Sequence, residues 1–257
     1  MKKTGTGDRA LAGEIYQLIL VAAITLAASY IQSVAGFGFG VFAMAFFPYF
    51  LKYTEANVLS GILSTVTSVF LLVALFRKVH WKNLLFPILG SIVANYFAIT
   101  FVKSMEQKWL ILLLGIALFC LSIYFFFFSD KVRIRPTWYA GLTAGVCSGM
   151  LSGLFSIGGP PVVIYYLQSE KDTDTYLATL SAYFILSGAV SISMKVAAGF
   201  VTETVLWGLL VGAVFMTAGS LLGRLTGARI SPKQIKRAVY GIMAVSGAVN
   251  VVTALLP

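Results

Sequence analysis

The chain is poor in charge, in histidine and in cysteine, and each shortage removes a class of function. Of 257 residues, 19 are Lys or Arg and 9 are Asp or Glu, so only 11% carry charge. A soluble domain of this length needs a charged surface to stay in solution. The single histidine, His80, rules out a histidine-based metal site or catalytic dyad within one chain. The two cysteines, Cys120 and Cys147, lie in apolar segments far from any histidine cluster. They read as packing residues and not as a disulfide or metal site. No nucleophile stands beside a base, so the sequence suggests no enzyme, no catalytic residue, no metal and no cofactor.

Apolar residues are abundant: 59% of the chain is hydrophobic, and the mean hydropathy is +0.90. They form long blocks with the charges between them. That is the pattern of an all-α polytopic membrane protein in a lipid bilayer. A net charge of +10 would suggest a nucleic-acid partner in a soluble protein. Here no basic stripe stands outside the apolar blocks, so no nucleic acid is expected. The excess reads as basic cytoplasmic loops. In MKKTGTGDRALAGEIYQLIL the apolar stretch runs on past a signal-peptide core, and a retained first helix is expected.

Apolar blocks fall at about 12–34, 37–51, 55–76, 82–102 and 107–128, then at about 137–155, 158–169, 174–197, 203–222 and 233–256. Most can cross a core of about 30 Å at 1.5 Å per residue. The second block of each half is short, and IGGPPVVIYYLQ would span only about 18 Å as a helix. Landmarks recur in the same order. GFGFG parallels GLFSIGGPP, KYTEANVLSGIL parallels KDTDTYLATLSA, LGSIVANYFAITF parallels VGAVFMTAGSLLG, and MEQKWLILLLGIAL parallels SPKQIKRAVYGIMA. Their offset drifts from about 117 to about 126 residues, as loop-length changes would cause.

The expectation is a single membrane domain of two five-segment repeats, residues 1–130 and 137–257, with the boundary in SDKVRIRPTW. An odd number of crossings per half inverts the second half relative to the first. With ten crossings the 19 Lys and Arg residues divide seven against twelve. With the short blocks re-entrant, eight crossings divide them ten against nine. The positive-inside rule favours ten, with both termini facing away from the cytoplasm.

Gly36, Gly38 and Gly40 recur every second residue, which does not place them on one helical face. Close packing therefore explains them less well than a break does. In Gly158–Gly159–Pro160–Pro161 the prolines lack two backbone donors and suit the first turn of a helix. Ser156–Gly159 is expected to be unwound, with Pro160 or Pro161 opening a half-helix. Free N–H groups at such an end attract anions. Unwound backbone at membrane depth is tolerated where it lines a cavity, and paired breaks point to a transporter site.

The candidate substrate-binding residues are Gln32, Ser33, Gly36, Phe37, Gly38, Phe39, Gly40 and Asn57 in the first half. In the second half they are Ser152, Gly153, Phe155, Ser156, Gly158, Gly159 and Pro160. Gln32, Ser33, Ser148, Ser152 and Ser156 can donate to an oxyanion, and interhelical hydrogen bonds are the competing use of each. Phe37, Phe39 and Phe155 could wall the site or pack against lipid and core. Glu14 and Lys195 lie near segment ends and are expected to snorkel. Glu55 and Glu203 sit at loop edges. The expected anion ligands are thus backbone and hydroxyl donors.

AGFGFG with a proline some residues on, and SGLFSIGGPPVVIYYL in the second half, resemble the TauE/SafE group, also called the toluene sulfonate uptake permease family. The resemblance spans nearly the whole chain. The first motif differs from a more glycine-dense form by Phe37 and Phe39. The resemblance implies an inner-membrane carrier for sulfur-containing anions such as sulfite or organosulfonates. It assigns function to the two motifs, Gly36 to Gly40 and Gly153 to Pro161. The reading is a secondary transporter of a small anion working by alternating access. An anion channel or a non-transporting assembly subunit is the alternative. Small-residue faces such as TAGSLLGRLTGA suit packing within the chain or in a homo-oligomer.

Overall fold

The computed structural model describes residues 4–128, 135–226 and 232–256. The stretch 129–134 at the expected repeat boundary lies outside them. So do Lys2, Lys3, Lys131, Arg133 and Arg229, which enter the charge count.

Among the described residues the fold consists of ten α-helices and three short 3-10 turns, with no strand. The first half holds α1 (Thr4–Ala35), α2 (Phe39–Phe46), α3 (Tyr53–Leu75), α4 (Leu85–Ser104) and α5 (Gln107–Phe128). The second holds α6 (Trp138–Phe155), α7 (Gly159–Ser169), α8 (Thr173–Ala197), α9 (Glu203–Thr226) and α10 (Pro232–Leu255). Seven are long and apolar enough to cross a membrane: α1, α3, α4, α5, α8, α9 and α10. The eight residues of α2 and eleven of α7 are short, as their sequence blocks indicated.

Lipid does not squeeze apolar helices together, so their association depends on close backbone approach over small residues. On α6, Gly141, Gly145, Gly149 and Gly153 recur every fourth residue and meet α4. A Cβ added at Gly145 would stand 2.1 Å from the Pro87 carbonyl oxygen, and one at Gly149 would stand 2.4 Å from that of Ser91. On α9, Gly219 and Gly223 meet α1 in the same way, against Leu26 and Ser33. These two glycines of TAGSLLGRLTGA therefore serve packing within the chain. Gly115 of α5 lies against Gly247 of α10, and Gly188 of α8 against Thr65 of α3.

These contacts fix helix directions. Along α4 and α6, Pro87 meets Gly145, Ser91 meets Gly149 and Asn95 meets Gly153, so the pair is parallel. Leu26–Gly219 and Tyr30–Gly223 make α1 and α9 parallel as well. The α3–α8 pair is antiparallel. An ion pair joins Lys78, just beyond α3, to Asp174 at the start of α8, while Gly61 near the start of α3 faces Lys195 near the end of α8. Gly115 against Asn250 and Phe125 stacked on Tyr240 make α5 and α10 antiparallel.

A cavity where two helix breaks meet

The first break lies between α1 and α2. Gly36 has φ 81° and Gly38 has φ 115°, left-handed values that suit glycine because it lacks a Cβ. The Gly36 N–H closes α1 by donating to the Gln32 carbonyl at 2.8 Å. The second break lies between α6 and α7. Ser156 takes the left-handed conformation here, at φ 56°, and its N–H donates to the Ser152 carbonyl at 2.9 Å. Gly158 precedes α7, and Pro160 and Pro161 fill its first turn. The half-helix begins at Gly159, a residue expected to be unwound, and so one residue before Pro160 and two before Pro161, the expected starts. Gly36 and Ser156 play the same part 120 residues apart (156 − 36), as do Gly38 and Gly158 (158 − 38).

A serine in the left-handed region is strained and persists where its surroundings hold it. Here the Ser156 hydroxyl donates to the Asn57 carbonyl at 2.7 Å and lies 3.1 Å from Asn57 Oδ1. Asn57 Nδ2 in turn donates to the Leu154 carbonyl at 2.6 Å. The Tyr53 hydroxyl donates to the same oxygen at 2.6 Å. Thus α3 clasps the freed carbonyl end of α6.

The two breaks touch. A Cβ added at Gly40 would stand 1.9 Å from the Ser156 carbonyl oxygen, and one at Gly159 would stand 3.4 Å from the Phe37 ring. Beside this crossing lies a cavity of about 50 Å³. A single water needs roughly 10–15 Å³ by the same measure, so the space suits a few waters or one small oxyanion head group. Glycine backbone and hydroxyl groups from both halves line it.

Seven of the expected residues reach the wall: Gln32, Gly38, Gly40, Ser152, Ser156, Gly158 and Gly159. Ser148 reaches it too, but donates to the Gly158 carbonyl and accepts from the Tyr183 hydroxyl. Gln32 donates to Ser68 Oγ at 2.8 Å and to the Ser64 carbonyl at 3.1 Å. Asn57 stands one step behind the wall. The other expected residues are turned elsewhere. Ser33 packs against Gly223 of α9, Gly36 against Leu177 of α8, and Gly153 against Ala98 of α4. Phe39 and Phe155 are buried in the apolar core, Phe37 packs near Phe125, and Pro160 is buried in α7.

One expectation is corrected. Lys195 does not snorkel: it is 1% exposed and sits at the cavity. Its Nζ donates to Ser156 Oγ at 2.7 Å and to the Ser152 carbonyl at 3.2 Å. A sequence signal for it exists in the spacing of Ser187, Ser191 and Lys195, four residues apart on one face of α8. Glu55 is also buried, accepting from Thr202 Oγ1 at 2.8 Å and from the Lys52 N–H at 3.2 Å. Among the described residues no three His, Cys, Asp or Glu side chains gather to hold a metal.

A multi-helix bundle joined through glycine faces, with hydroxyl-lined broken helices at its centre, is an integral multi-pass membrane protein of the transport class. The chain belongs to the family described as sulfite exporter TauE/SafE, which matches residues 21–249. It is 24% identical over 238 residues to a protein of Cupriavidus necator called "Probable sulfite/organosulfonate exporter TauE", covering 90% of this chain and 92% of that one. No solved structure matches it. Family and helices together place the protein in the bacterial inner membrane.

Proposed function

We propose that the protein is a secondary transporter of a small sulfur oxyanion, sulfite or a sulfonate, and works by alternating access around the cavity between its two broken helices. The observation that carries this reading is the contact of Gly40 with the Ser156 carbonyl beside a hydroxyl-lined cavity, in a chain of the TauE/SafE family. The relative's name supplies the substrate class. Backbone N–H groups of residues 38–40, 158 and 159, with the Ser152 hydroxyl, form the oxyanion cradle, while the N–H groups of Ser156 and Ile157 are spent on the Ser152 and Leu151 carbonyls and the Ser156 hydroxyl on that of Asn57. Helix starts favour negative charge there.

Helix directions support an inverted repeat with ten crossings. For α3 and α8 to run antiparallel, an odd number of crossings must separate their starts. Helices α3 to α6 supply four, so α7 supplies the fifth. For α1 and α9 to run parallel, an even number must separate their starts, which requires α2 to cross as well. The packing also respects an exchange of halves. The α1–α9 pair corresponds to α6–α4, while α3–α8 and α5–α10 map onto themselves. The two halves then rock about the cavity.

The test is flux in proteoliposomes with labelled sulfite. A carrier gives saturable uptake that speeds up when unlabelled sulfite is loaded inside. Flux that never saturates and ignores the internal load would make the protein a channel. No sulfite or sulfonate flux at all would remove the substrate assignment.

A further inference from the structure

The cavity holds a buried lysine amine with no carboxylate beside it among the described residues. Lys195 Nζ has three donors, and two are used, both by neutral oxygens of the second break. Among the described residues no carboxylate pairs with it, and no Asp or Glu lines the cavity. An ammonium held away from water is costly unless an opposite charge compensates it. One turn away on the same face of α8, Ser191 lines the same cavity. It is 2% exposed, and its hydroxyl has no partner. Buried hydroxyls are normally satisfied. A lysine amine without a carboxylate and a hydroxyl without a partner thus share one small wall.

We propose that Lys195 is the substrate-binding residue that sets the charge of the transported species, with Ser191 Oγ as a second ligand to the same oxyanion. The inference deepens the transport reading and rests on it. The anion supplies the charge that the fold withholds from Lys195. The cavity then admits a single anionic head group such as sulfite or a simple alkyl sulfonate. It rejects an aminosulfonate, whose ammonium would enter a space of about 50 Å³ beside Lys195 with no carboxylate to meet it. This selection by charge does not follow from the glycine motifs, whose backbone donors treat any oxyanion alike.

A structural role competes with this one. Lys195 also neutralises the carbonyl end of α6, and a clamp of that kind requires no ligand. Ligand-induced thermal stabilisation of the purified protein separates the two. Sulfite and methanesulfonate are expected to raise the melting temperature of the native chain, and taurine is not. Lys195→Arg keeps a weakened response. Lys195→Gln keeps a hydrogen-bond donor and loses at least about tenfold in apparent affinity, or about 1.4 kcal/mol. Ser191→Ala lowers affinity less and leaves the unliganded melting point unchanged.

An undiminished sulfite response in Lys195→Gln would overturn the inference, as would a taurine response equal to that of sulfite. Should Lys195→Gln fail to fold, Ser191→Asp answers the question. Its carboxylate pairs with Lys195, keeps the protein folded and abolishes the sulfite response, whereas a normal response overturns the proposal. If the native chain shows neither response nor flux with these anions, the sulfur-oxyanion assignment on which the inference rests fails, and the inference with it. Response in the native chain and equally in both charge variants removes only Lys195.

Discussion

The backbone of Gly40 lies against the carbonyl oxygen of Ser156, so the first helix break meets the second there with no side chain between them. A Cβ there would stand 1.9 Å from that oxygen. Both partners are backbone, so neither can rotate away.

Gly40→Ala is therefore expected to force the breaks apart and cost about 1–3 kcal/mol, the usual range for overpacking. Gly241→Ala is the control, because nothing lies within 4 Å of its added Cβ. Thermal unfolding in detergent should show a clear drop for the first and none for the second. Equal behaviour would mean that the breaks do not touch.

Asn57→Ala removes the donor that satisfies the Leu154 carbonyl and the side-chain acceptor near Ser156 Oγ. Leaving buried polar groups unpaired costs about 1–3 kcal/mol. The Tyr53 hydroxyl still reaches Leu154 O, so the loss should fall at the lower end of that range. Adding Tyr53→Phe should cost more than the sum of the two single changes, and a double-mutant cycle reads that coupling.

Membrane sidedness can be read with single cysteines, after Cys120 and Cys147 are replaced. With ten crossings, cysteines at Lys82 and Lys171 are labelled by an impermeant reagent from one face and cysteines at Lys52 and Lys103 from the other. With eight crossings, Lys82 and Lys171 fall on opposite faces. The Lys78–Asp174 ion pair favours the first pattern.

Asp172 caps α8, with its carboxylate accepting the Thr175 N–H at 3.0 Å. That backbone bond, aided by the Thr175 hydroxyl, holds the carboxyl below its ordinary value of 3.8. The folded value is depressed, so the stabilisation is present above about pH 4 and is lost as pH falls further. Asp172→Ala should melt earlier than the native chain at pH 6, and the gap should close toward pH 3. A gap that persists at pH 3 would assign the loss to something other than the carboxylate.

Glycine and proline made the breaks legible in the sequence, because few other residues need a left-handed φ or lack a backbone donor. Gly36, Gly38 and the start of α7 all lie within two residues of where composition put them. Side-chain direction was not legible. Ser33 and Gln32 are neighbours about 100° apart around a helix. Only the packing of α1 on α9 decides that Gln32 faces the cavity and Ser33 faces Gly223. Lys195 departs from its expected place for a related reason. Counting from the end of α8 gave it a route to the interface, but depth is set by the neighbouring α3 and α6. The evenly spaced Ser187, Ser191 and Lys195 mark a polar face of α8 in the sequence itself.

The exchanged pairing of α1 with α9 and of α4 with α6 also governs how the chain is made. The ribosome delivers α1 to the bilayer when its partner lies almost 200 residues away. Until Gly219 and Gly223 arrive, the face bearing Leu26 and Ser33 has only lipid or the insertion machinery to rest on. Neither half can complete its own packing, so two separately expressed halves should be unstable alone and restore the protein only when synthesised together.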